Sequence, residues 1–155
     1  MKTVVRRSAF TLVEVLIVVV IMAILAAAII PQFTDSTKDA KNSTVKFNLS
    51  TLRSQIQLYR TQHNGTPPDS ALTKLTKQTD ATGAEGTTSA FPFGPYLRAI
   101  PVNPINNLND VKVITTDAPA ASDADGSKGW IYNATTGNIW INDNSGTPAS
   151  GLYTK

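Results

Sequence analysis

Between Phe10 and Ile30 apolar side chains follow one another almost without interruption, and past Pro31 they thin out to every third or fourth position. The first pattern has no polar side, so a helix built from it is apolar all round. Its 21 residues make a helix about 31 Å long, which matches a hydrocarbon core of roughly 30 Å. The many Val and Ile residues favour a strand in water. In lipid the backbone must satisfy its own hydrogen bonds, so a helix is expected. The second pattern is Val45, Leu49, Leu52, Ile56, Tyr59 and His63, spaced 4, 3, 4, 3 and 4, which is one face of an amphipathic helix. Asp35, Lys38, Asp39, Lys41, Lys46, Arg53 and Arg60 mostly take the other faces. Asn64-Gly65 and Pro67-Pro68 form a stop signal. A single helix from Phe10 to His63, about 80 Å long and bent at Pro31, is expected.

Downstream the periodicity changes. Residues 72–90 are rich in Thr, Ala, Gly and Gln and read as a surface loop. Phe91-Pro-Phe-Gly-Pro-Tyr-Leu97 and Ile100-Pro-Val-Asn-Pro104 carry too much proline for regular structure and are expected to lie as a coiled cover on the helix. Val111 to Thr116 alternates and is β-branched, which predicts a strand. Trp130 to Asn133 and Asn138 to Asn142 flank a short Gly-containing loop, the pattern of a hairpin. The expected fold is α+β, with one long helix packed on a small antiparallel sheet of about three strands. Asp143 to Lys155 read as a loose polar tail.

Composition narrows the chemistry. The 155 residues suffice for one modest domain and an anchor. There is no cysteine, which rules out disulfides, thiolate metal sites and cysteine nucleophiles. The basic excess is local: of 14 Lys and Arg, Lys2, Arg6 and Arg7 precede Phe10, leaving 11 against 11 Asp and Glu. A chain neutral from Phe10 onward gives no footing for nucleic-acid binding.

Glu14 is the one acid at the head of the apolar run, and a carboxylate there is costly unless something compensates it. A secretory signal peptide has a shorter apolar region and a small-residue cut after it, and a plain anchor leaves Glu14 unexplained. A cut between Ala9 and Phe10 keeps the apolar segment on the mature chain. Arg7-Ser8-Ala9-Phe10-Thr11-Leu12-Val13-Glu14, followed by the long apolar run with Pro31, resembles the prepilin-type N-terminus of type IV pilins and type II secretion pseudopilins. Ala9 stands where that family usually has glycine.

The resemblance implies a leader at 1–9, a membrane-spanning and filament-core helix at 10–31, an amphipathic helix at 32–64 and a globular region at 65–155. It implies cleavage by a prepilin peptidase at Ala9, N-methylation of Phe10, docking on an inner-membrane assembly platform, and homopolymerisation through the N-terminal helix, with Thr11, Glu14 and Pro31 as assembly residues. Glu14 is expected to pair with the amine of a neighbouring Phe10. Lys2, Arg6 and Arg7 put the N-terminal side in the cytoplasm. The C-terminal region is then periplasmic until the subunit enters a periplasmic or surface filament.

Among chemistry-bearing residues, His63 is the sole histidine and completes the helix stripe, so packing or capping is expected of it rather than catalysis. Trp130 and Trp140 sit at strand spacing and read as core or sheet-surface residues. Asp117, Asp123 and Asp125-Gly126 resemble part of a calcium loop, without the terminal glutamate of an EF-hand. Major pseudopilins hold calcium in a loop between their C-terminal strands, which implies these three aspartates as ligands; solvated Asp-Gly turns are the alternative. The expected function is a non-enzymatic structural subunit of a type II secretion pseudopilus. The alternatives are a type IV pilus subunit and a membrane-anchored binding domain that does not polymerise.

Overall fold

Helix α1 spans Leu12–Gln62 and continues through Pro31. The computed structural model describes residues 10–144; the leader 1–9, Ala9 included, and residues 145–155 of the expected tail lie outside the described residues. The chain forms two compact units that divide within α1, between Ala40 and Lys41. In the first, every described side chain is exposed. Just past Pro31 the hydroxyls of Thr34, Ser36 and Thr37 donate to the carbonyls of Ile30, Gln32 and Phe33 at 3.2, 2.9 and 2.8 Å. These are the i→i−4 back-bonds that Ser and Thr make within a helix; the carbonyl that loses its partner to the missing proline N–H is that of Ala27.

In the second unit the expected stripe is buried: Val45, Leu49, Leu52, Ile56, Tyr59 and His63 are each at most 4% exposed. The stop signal acts through Asn64 and Gly65, both in the left-handed region, and the Gly65 N–H donates to the Arg60 carbonyl at 2.8 Å. Three strands face this stripe: β1 Val111–Val113, β2 Trp130–Tyr132 and β3 Ile139–Ile141. Period-two alternation sends Trp130, Tyr132, Ile139 and Ile141 toward the helix. Ile131 and Trp140 face the other side, with Ile114 and Ala124. The β2–β3 hairpin is antiparallel, as its turn residues predict, with Trp130 opposite Ile141. Asn133 Oδ1 accepts from the N–H groups of Thr135 and Thr136 at 2.8 and 3.0 Å and so shapes the turn. Arg53 and Arg60 clamp the hairpin to α1 by donating to the carbonyls of Ile139 and Thr136, both at 3.2 Å.

The structure differs from expectation in two respects. β1 pairs with β2 in parallel, Val111 beside Trp130, so the sheet is mixed. A parallel partner needs a crossover of a dozen or more residues, and residues 114–129 supply one, with a short 3₁₀ turn at Ala121–Asp123. Residues 72–90 are not merely surface. Leu72, Leu75 and Thr79 are fully buried, because a 3₁₀ turn at Thr73–Thr76 presses the two leucines onto the core. The proline-rich segment does cover that core: Tyr96, Leu97, Ile100 and Ile105 pack on it, and the Pro101 carbonyl accepts from Trp130 Nε1 at 2.8 Å. Asn103, within that segment, is buried and donates from Nδ2 to the carbonyls of Gly129 and Asn142 at 2.9 and 3.1 Å.

Candidate functional site

The N-terminal segment is built around Thr11 and Glu14. The Thr11 N–H and hydroxyl both donate to Glu14 Oε2 at 2.9 Å, and the Glu14 N–H donates to Thr11 Oγ1 at 3.2 Å. This reciprocal pair is a capping box, in which two residues satisfy donors that a helix start otherwise leaves orphaned. The signal for it lies in the sequence as Thr-x-x-Glu at residues 11–14, a pattern separate from the charge of Glu14. Both bonds end on Oε2; among the described residues Oε1 accepts none. Apolar surface open to solvent runs along the helix past the carboxylate, from Phe10 and Leu12, each 82% exposed, to Phe33 at 69%. Among the described residues one helix, α1, is long and apolar enough to cross a membrane.

The acidic residues of the crossover are arranged otherwise than a three-aspartate metal site. Asp123 and Asp125 converge on Lys112 of β1, whose Nζ lies 3.5 Å from Asp123 Oδ1 and 3.0 Å from Asp125 Oδ2. The same ammonium donates to the carbonyls of Ser122 and Asp123 at 3.2 and 3.1 Å. Asp117 does not join them, and among the described residues no three acidic or histidine side chains converge as metal ligands do. Asp125 Oδ1 accepts from the N–H and hydroxyl of Ser127 at 3.0 and 2.7 Å and from Asn142 Nδ2 at 3.1 Å. These bonds, those of Ser127 first and then those of Asn142 and Lys112, hold its carboxyl well below the usual carboxylate range. Its hydrogen bond to Asp125 raises Lys112 in turn. Calcium takes six to eight oxygen ligands; here the oxygens that could begin such a shell are already turned on an ammonium. The donor set as arranged fits Lys112 and not a divalent ion.

His63 is 2% exposed. Its Nδ1 lies 2.7 Å from the Tyr59 carbonyl, which can only accept, so Nδ1 carries a proton. Nε2 meets Thr79 Oγ1 at 2.9 Å. The ring stacks on Tyr59 at 3.7 Å between centroids and is edged by Phe93 and Tyr96. Trp130 is fully buried in the core and Trp140 packs on the outer face of the sheet. These three residues serve packing.

Comparison with known proteins agrees with the N-terminal geometry. Residues 5–30 match the prokaryotic N-terminal methylation motif. The chain is 32% identical over 62 residues to the type II secretion system core protein G of Pseudomonas aeruginosa, a match covering 40% of this chain and 44% of that one. It is 37% identical over 62 residues to the type IV narrow pilus major component of Thermus thermophilus, covering 40% of this chain and 53% of that one. The chain thus spans about half the length of the curated relatives it matches. No solved structure matches it. Its N-terminal segment carries the prokaryotic methylation motif, and the proteins it is similar to include a type II secretion component and a type IV pilus component.

Proposed function

We propose that the chain is a structural subunit that polymerises through its N-terminal helix into the pseudopilus of a type II secretion system. A prepilin peptidase cuts between Ala9 and Phe10, and the new amine is methylated. Until assembly the apolar helix holds the subunit in the inner membrane, N-terminus cytoplasmic and sheet-bearing unit periplasmic, where the assembly platform takes it up. The observation that carries this reading is the Glu14 carboxylate: set in exposed apolar surface, capped on one oxygen and, among the described residues, open on the other. When such helices bundle away from water, an uncompensated acid is costly, and a cation with hydrogen-bond donors offsets that cost. The amine of a neighbouring Phe10 is such a cation, and meeting it fixes the axial register of the incoming subunit. Thr11 keeps the carboxylate aimed. Adhesive pilins of the family that the N-terminus resembles usually close a C-terminal loop with a disulfide, so a sequence without cysteine favours the pseudopilus. A type IV pilus subunit is the second reading, supported by the similarity to the Thermus thermophilus pilus component.

Glu14→Gln separates pairing from capping. Glutamine at the third helical position still completes a capping box but carries no charge. The expected result in the native host is loss of filaments by at least about tenfold, since breaking a buried ion pair typically costs about 3–5 kcal/mol, with normal amounts of folded subunit in the membrane. Normal filaments from the variant would sink the pairing account. In the same preparations, wild-type filament released by shearing intact cells marks a surface pilus, and filament kept within the envelope marks a pseudopilus.

A further inference from the structure

We propose that the Lys112 ammonium is the resident cation of the crossover between β1 and β2, so that this fold closes without a divalent metal. Register places Lys112 beside Ile131, and Ile131 beside Trp140, so all three lie on the outer face of the sheet. The crossover lies over that face, packing Ala124 on Ile131. A loop laid over a sheet brings its carbonyls and carboxylates inward, and they need a positive partner. Four oxygens reach Nζ within 3.5 Å, two from carboxylates and two from carbonyls. That is the oxygen chemistry of a calcium shell, but it surrounds a cation tethered by its own side chain. Asn142, at the end of β3, and Ser127 hold Asp125 in place from the other side. The crossover is thereby tied to the first and last strands of the sheet at once.

The test uses the full chain in detergent. Trp130 and Trp140, the two tryptophans of the chain, both lie in the sheet, so their fluorescence reports the unit that contains Lys112. Thermal unfolding is followed in EGTA and in about 1 mM CaCl2, the range in which weak extracellular calcium sites bind. The wild-type midpoint is expected to be the same in both, within about 1 °C. Lys112→Met keeps the aliphatic stem and removes the charge. Its midpoint in EGTA is expected to fall by about 3–8 °C, and calcium is expected to restore at least half of the loss by entering the vacated oxygens. Lys112→Arg is expected to remain insensitive to calcium. A wild-type protein stabilised by calcium, or a Lys112→Met variant as stable in EGTA as the wild type, would overturn the proposal. A destabilised variant that ignores calcium would overturn the equivalence of ammonium and metal. Should Lys112→Met fail to fold, the wild-type comparison decides alone.

Discussion

Tyr59 and Tyr132 keep their phenols in the core, where loss of water disfavours the ionised form. Burial pushes Tyr59 up to about 12 and Tyr132 higher still. In the unfolded chain both ionise near pH 10. Because the folded values are raised, their contribution to stability is complete below about pH 10 and is lost as pH climbs through the folded values. Tyrosinate absorbance is therefore expected to rise later in the native protein than in urea, and the urea midpoint to drop between about pH 10 and 12; superimposable native and urea titrations would refute this. Single residues differ most in how legible they are from sequence. His63 was legible because it continued a period of 3.6. Lys112 was not, because the oxygens it gathers lie 10 to 13 positions downstream on a crossover whose path no local pattern specifies.

The second half of α1 shows how a face is decided by what it covers. Leu52 is fully buried, whereas Phe47, five residues earlier, is 72% exposed. Leu52→Ala is expected to cost about 2–5 kcal/mol by leaving a cavity between helix and sheet. Phe47→Ala, where no cavity forms, is expected to stay within about 0.5 kcal/mol. Urea unfolding followed by tryptophan fluorescence measures both, and equal losses would contradict the assigned faces. The helix, its stop and the hairpin were readable because each rests on a repeat or a turn within a few residues. The pairing of β1 was not, since a three-residue strand carries no mark of its direction. Leu72 and Leu75 escaped notice for a related reason: two leucines in a Thr-rich run make no period, and only the 3₁₀ turn between them brings them to one side.

The two units of the molecule divide the work. Residues 10–33 expose apolar surface, while the unit from Lys41 onward holds both hydrophobic clusters. A chain starting at Lys41 is expected to keep the tryptophan emission of the full protein, to stay monomeric, and to lose all partition into detergent micelles. Size-exclusion chromatography with fluorescence detection checks this, and aggregation or an unfolded spectrum would show that the second unit depends on the first. The core of that second unit also has a history in time. Arg53 and Ile139 are joined across 86 positions, and a ribosome adding about 5–20 residues per second takes roughly 4–17 s to cover them. During that interval the helix face from Val45 to Tyr59 lacks β3, the last of the three described strands. A message cut short before Ile139 yields a chain in which Leu72, Leu75 and the proline-rich segment can meet that face but Ile139 and Ile141 never complete its cover.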